Sequence, residues 1–94
     1  MIARIWSTKI LLNRKNDLIN FANGVSKPYL AAQKGNKGVF FFSKEDDWIT
    51  LTLWESHSDI FKMEKDPKYI ELVKRIYQLN ALVGNSDTKL LEVH

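Results

Sequence analysis

A chain of 94 residues, 45% hydrophobic and 27% charged, has room for one domain with a modest core and not for two. The absence of cysteine removes disulfides, thiolate metal sites and thiol nucleophiles together, and it fits a reducing compartment. The net charge of +3 comes from basic residues interleaved with acids, as in Lys62, Glu64, Lys65, Asp66 and Lys68; this describes a solvated helix face, so no nucleic-acid partner is expected.

Ile2 to about Ile10 alternates, with Ile2, Arg4, Trp6 and Thr8 on one face and Ala3, Ile5 and Ser7 on the other, the pattern of a first strand. Arg4 and Lys9 interrupt its apolar character, so no secretory signal is visible, and no window reaches the ~18–20 apolar residues of a membrane span. A cytoplasmic protein is expected. Asn13 is placed to cap a helix whose apolar positions are Leu18, Phe21, Ala22 and Val25. Pro28 predicts a kink or an end near Ser26, because proline lacks the donor and disfavours a helical residue before it. Tyr29, Leu30 and Ala32 predict one further helical turn, and Gly35 to Gly38 is turn material.

Val39 to Phe42 reads as the second strand and Trp48 to Trp54 as the third, with Ser43 to Asp47 a polar loop between them. In "LTLWESHSDIF", Leu51 to Phe61, the third strand ends on Trp54 just before a helix start, with Ser56 as the cap and Asp59 in the first turn. The indole is thereby expected at the rim where sheet and helix diverge, a place where folds often leave a pocket. Asp66 and Pro67 mark a second helix start, followed by the stripe Tyr69, Leu72, Val73, Ile76 and Tyr77. Glu71 and Arg75 are spaced to pair on it, Gly84 is a plausible stop, and Lys89 to Val93 reads as the fourth strand. The order β-α-β-β-α-β over residues 1–94 predicts a single α+β domain, a ferredoxin-like antiparallel sheet with helices on one face.

Several chemistries are poorly supplied. The only histidines are His57 and His94, and His57 and Asp59 point to different sides of a helix, so no metal site is expected. No nucleophile elbow and no phosphate-loop spacing occurs. "KGVFFFS", Lys37 to Ser43, superficially matches the aromatic signature of RRM domains, which share the element order. It falls on the second strand instead of the third, however, and puts Val39 where a stacking ring belongs. The remaining candidates are the aromatics Trp6, Tyr29, Trp54, Phe61, Tyr69 and Tyr77. Each alone reads as core; together, spread over sheet and helices, they suggest a ligand pocket. Arg4 shares a face with Trp6 and requires an anion or carboxylate if enclosed; the alternative is a strand-edge guanidinium reaching water.

"ITLTLWESHSDIFKM", Ile49 to Met63, resembles the strand ending in Trp-x-Ser followed by a helix found in the antibiotic biosynthesis monooxygenase (ABM-like) family of the dimeric α+β barrel superfamily. The element order over nearly the whole chain agrees. The resemblance implies a homodimer whose two sheets close into a barrel, with a sheet–helix pocket in each subunit. Enzymes of that family oxygenate polycyclic phenols without metal or flavin, or degrade haem, and other members have no assigned activity. The haem-degrading branch carries an Asn on strand one, a Trp on the helix after Trp-x-Ser and a His on the next helix. The corresponding positions here fall near Trp6, Met63 and Val73, so no axial histidine is present and haem is disfavoured.

Cofactor-free oxygenation requires a pocket that binds an acidic phenol, stabilises its anion and lets it pass an electron to oxygen. In that scheme Arg4 steadies the anion, Trp6 and Trp54 sandwich the ring, Phe61 adds to the wall, and Tyr69 or Tyr77 donates a hydrogen bond. His57 is the one internal side chain suited to carrying a proton near neutrality, and also reads simply as an exposed first-turn residue. The rival readings are a non-catalytic, stress-associated homodimer that binds a small molecule, and an RRM-like RNA binder. Dimerisation is also expected from the strands themselves. Ile49, Leu51 and Leu53 oppose Trp48, Thr50, Thr52 and Trp54, and Phe40 and Phe42 oppose Val39 and Phe41, so neither face is wet. Helices can cover one face only, and a second copy is the simplest cover for the other.

Overall fold

The computed structural model describes all 94 residues. Four strands, β1 (Ile2–Ile10), β2 (Asn36–Lys44), β3 (Asp47–Trp54) and β4 (Leu82–Glu92), form one antiparallel sheet in the order β2-β3-β1-β4. The helices are α1 (Lys15–Phe21), α2 (Lys27–Ala31), α3 (His57–Lys65) and α4 (Pro67–Gln78). This is the expected ferredoxin-like α+β arrangement. The pairing sets rows across the sheet: Phe41, Thr50, Trp6 and Thr88 in one, Val39, Thr52, Arg4 and Leu90 in the next. These rows face the helices, where the core forms. The opposite face carries Phe40, Leu51, Ile5 and Lys89 in one row and Phe42, Ile49, Ser7 and Asp87 in another.

Local chemistry explains most boundaries. Ser56 caps α3 by accepting the Asp59 backbone N–H, and Asp66 caps α4 by accepting that of Lys68 with Pro67 at the first helical position, both as expected. Other expectations are corrected. Asn13 caps nothing: it lies in a short 3₁₀ turn, Leu12–Arg14, and α1 starts at Lys15 without a side-chain cap. Pro28 does not break the helical arm. The segment Ala22–Ser26 widens into a π-helical turn just ahead of it, where a missing donor and the proline ring would disrupt an α-helical ladder, and α2 continues beyond. The β2–β3 loop is tighter than Ser43 to Asp47, because Lys44 already pairs with Asp47 and Glu45 takes φ 53° in the turn.

Gly84 does not stop α4. Asn80, at φ 55°, turns the chain out of that helix, and β4 begins at Leu82. Gly84, at φ 69°, belongs to the irregular stretch of β4 where its register with β1 shifts between Ser7 and Lys9. The turn-like "GNSD" is thus absorbed as a bulge inside a strand. Glu71 and Arg75 form no ion pair either; the Arg75 guanidinium lies over the Phe21 ring, 5.1 Å from its centroid.

The core has two parts. Ile2, Leu30, Val39, Trp54, Ile60 and Met63 form one buried cluster; Ile10, Leu18, Ala22, Trp48 and Ala81 form the other. Phe41 packs against both.

Candidate functional site

Between these two clusters lies a cavity of about 170 Å³. β1 contributes Arg4 and Trp6, and β3 contributes Trp48, Thr50 and Thr52. Leu18, Ala22, Ser26 and Leu30 come from the helical arm, and Tyr69, Leu72, Val73, Ile76 and Tyr77 from α4. Phe41 of β2 and Ser86 and Thr88 of β4 complete the lining, and the exposed Tyr77, Ser86 and Thr88 mark its open side. Interiors of this size normally hold few voids larger than a water molecule, so an opening that divides the core is not ordinary packing.

One cation is enclosed here. The Arg4 side chain is 11% exposed, and its Nε and Nη2 donate to Oε2 of Glu64 on α3 at 3.2 and 3.1 Å. Nη2 also donates to the Tyr69 hydroxyl at 3.1 Å, and the guanidinium stands 5.8 Å from the centre of that ring. Arg4 is therefore not the water-reaching edge residue of the alternative reading; it is enclosed and has the carboxylate that enclosure demands.

The two cavity threonines of β3 each accept from a tryptophan. Trp48 Nε1 donates to Thr50 Oγ1 at 3.1 Å, and Trp54 Nε1 to Thr52 Oγ1 at 2.7 Å. The Phe41 and Trp48 rings sit 5.8 Å apart in a tilted pair. Outside the lining, the Tyr29 hydroxyl donates to Asp66 at 2.8 Å. Burial, then that hydrogen bond, pushes the Tyr29 phenol well above its usual value. The Lys68 backbone N–H, then Tyr29, holds the Asp66 carboxyl below the usual range.

Of the residues singled out in the sequence, Arg4, Trp6, Tyr69 and Tyr77 meet in the cavity. Trp54, expected at a pocket rim, is wholly enclosed among Ile2, Leu30, Val39, Ile60 and Met63. The close strand-to-helix junction leaves no opening there. Phe61 is 53% exposed on α3 and outside the cavity, with its ring stacked on His57 6.5 Å away. His57 is likewise exposed. Phe41, Trp48, Thr50 and Thr52 were missed as lining residues, although strand alternation already put the last three on one face. No signal in the sequence placed the bulged Ser86 there.

The residue set of the haem-degrading branch is not present here. The lining contains no histidine, cysteine or methionine, and the position expected to carry a helix Trp, Met63, is buried in the core cluster outside the cavity. No group of three or more His, Cys, Asp or Glu side chains stands together as a metal site would require. No helix is long and apolar enough to cross a membrane.

No family model and no curated protein matches this sequence. Solved structures do match its fold. A monooxygenase from the gene ActVA-Orf6 of Streptomyces coelicolor, in complex with nanaomycin D, superposes with a TM-score of 0.86 at 15% identity, covering 99% of this chain and 87% of the other. A candidate antibiotic biosynthesis monooxygenase from Deinococcus radiodurans gives 0.83 at 8% identity, covering 100% and 93%. A mutant form of SnoaB, a cofactor-independent oxygenase from Streptomyces nogalater, gives 0.78 at 12% identity, covering 98% and 91%. The ABM-type fold suggested by "ITLTLWESHSDIFKM" is the fold observed.

Proposed function

We propose that the cavity binds a small aromatic or quinone-type molecule and that the chain is a cofactor-independent monooxygenase acting on it. The observation that supports this best is the division of the core by an aromatic-walled cavity with one enclosed, partnered cation at its side. Structural neighbours that include a cofactor-independent oxygenase and a monooxygenase holding nanaomycin D support the same class. Trp6, Phe41 and Trp48 offer flat apolar walls to a ring. Arg4 and the Tyr69 hydroxyl offer donors to an oxygen on it.

A bound phenol that loses its proton passes one electron to O₂. The resulting radical pair closes a carbon–oxygen bond at a ring carbon that bears a hydrogen; the peroxide takes up a proton, its O–O bond breaks as that carbon loses its hydrogen, and water leaves behind a carbonyl. Donors aimed at the substrate oxygen favour the anion as it forms. The lining holds no histidine, aspartate, glutamate or lysine to serve as a general base. The substrate then has to bind neutral and pass its proton to water at the open side once it is held by those donors. His57, outside the cavity, takes no part. That same lack of a base favours the second reading, a binding protein without turnover.

Oxygen uptake measured against a panel of one-ring and two-ring hydroquinones and phenols separates the two. Consumption above the protein-free rate, with a quinone product, is the outcome expected of the enzyme. Calorimetric binding of the same compounds without consumption identifies the binding protein.

We also propose that the working unit is a homodimer in the cytoplasm, with no nucleic-acid or membrane partner. Phe40 and Phe42 stand exposed on the helix-free face, beside Ile49, Leu51, Leu53 and Ile5. This apolar centre, without a cluster of basic residues, suits a second copy better than a phosphate backbone.

A further inference from the structure

We propose that the cavity selects a neutral aromatic molecule of one or two fused rings carrying an acceptor oxygen, and that Glu64 is the positioning residue that sets this preference. The inference rests on the cavity being an aromatic-binding site, as argued above, and concerns what that site admits.

Size gives the first half. An apolar cavity of ~150 Å³ binds benzene, and the space here is about 170 Å³. A second fused ring reaches the limit of that volume, and a third either projects into water between Tyr77, Ser86 and Thr88, where it gains little burial, or displaces Leu18, Leu30 or Leu72.

Charge gives the second half. A guanidinium has five N–H donors. Nε spends its one on Glu64, and Nη2 spends its two on Glu64 and Tyr69. The two on Nη1 have no partner within the chain, although Arg4 lines the cavity. The Tyr69 hydroxyl accepts from Arg4 and donates to nothing in the chain, so its O–H is free as well. Arg4 and Tyr69 thus each supply a donor, enough for the two lone pairs of one carbonyl or phenol oxygen. The cation behind them is already cancelled by a carboxylate 3.1 Å away. An anionic ligand would meet the Glu64 charge along with that of Arg4, which is enclosed while Glu64 is 35% exposed. Donors without net charge favour a neutral acceptor.

The test is calorimetric titration of the full chain at pH 7 with 2-naphthol, 2-naphthoate and anthracen-2-ol. We expect 2-naphthol to bind at least tenfold more tightly than either of the others. In Glu64→Gln, 2-naphthoate should gain at least tenfold while 2-naphthol stays within threefold. Binding of 2-naphthol should then tighten as pH rises and the naphtholate forms. A loss of packing alone would weaken both ligands together and leave the pH profile flat. Tyr69→Phe should weaken 2-naphthol several-fold in an otherwise folded protein.

Wild-type binding of 2-naphthoate or anthracen-2-ol as tight as that of 2-naphthol overturns the proposal without any variant. So does a folded Glu64→Gln protein with unchanged preference. If neither these three compounds nor phenol binds, the aromatic-site reading fails with it; if a larger or charged ligand binds best, only this inference fails.

Discussion

Trp54 donates its indole N–H to Oγ1 of Thr52, 2.7 Å away and two residues back along the same face of β3. The indole is completely enclosed, so this hydroxyl alone keeps its one polar atom from being stranded. Thr52→Val keeps the shape and removes the acceptor, and it should cost about 1–3 kcal/mol, the penalty of an unmet buried donor. Trp54→Ala should cost about 3–5 kcal/mol, as large aromatic truncations in cores do. Urea midpoints at unchanged slope measure both. A Trp54→Ala cost below about 1 kcal/mol would show that the indole is not core.

Gly35 and Gly84 separate backbone strain from collision. Both have positive φ, 83° and 69°. A Cβ at Gly84 meets nothing within 4 Å, so Gly84→Ala should cost only the left-handed strain, about 1–2 kcal/mol. A Cβ at Gly35 falls on the carboxylate of Asp59, which accepts the Ser56 hydroxyl at the start of α3. Gly35→Ala should therefore cost that strain plus a disturbed cap, about 1 kcal/mol more. Equal thermal shifts in the two variants would show that the cap is slack.

The fold was legible because its signals are local and repeated. Strand alternation, Ser56 and the Asp66–Pro67 pair each dictate their geometry within a few residues. The misread boundaries are places where tertiary context absorbs a local breaker: the π turn ahead of Pro28, and the bulge that takes Gly84 into β4. The site was half legible. Arg4, Trp6, Tyr69 and Tyr77 stand out by residue type, but whether a tryptophan lines a cavity or plugs a core depends on the depth of the junction beside it. Trp48 and Trp54 share a strand face and each donates to a threonine two residues away, yet only Trp48 lines the cavity. The partner of Arg4 lies 60 positions away, beyond any pattern in the chain.

Tyr29 and Asp66 predict a stability plateau with two falling arms. Asp66 is held below its ordinary value in the fold, so its contribution is complete above the unfolded value near 3.8 and is lost as pH falls through the folded one. Tyr29 is raised, so its contribution is complete below the unfolded value near 10.0 and declines as pH climbs above it. Lys9, raised chiefly by its hydrogen bond to Asp47, acts in the same direction on the alkaline side. Urea midpoints across the pH range should be flat between these values. Tyr29→Phe should shallow the alkaline arm and Asp66→Asn the acid one; unchanged arms in both variants would show that the Tyr29–Asp66 bond does not form in solution.

The helix-free face of the sheet argues for a second copy. Register places Phe40 beside Leu51 and Ile5, and Phe42 beside Ile49, while Val39 and Phe41 turn inward to the core. Phe40 and Phe42 are 46% and 52% exposed in the single chain, and Leu91, next to Ala3 on the same face, is 50% exposed. Monomers seldom leave a continuous apolar surface of more than a few hundred Å² in water. Packing the same face of another copy against it about a two-fold axis covers both at once. Sedimentation at micromolar concentration should then give twice the 11.0 kDa chain mass. Leu51→Glu puts a charge in the middle of that face without touching the cavity, and should release folded monomers that bind a hydrophobic dye. A wild-type monomer that binds no such dye would show that the face tolerates water and needs no partner.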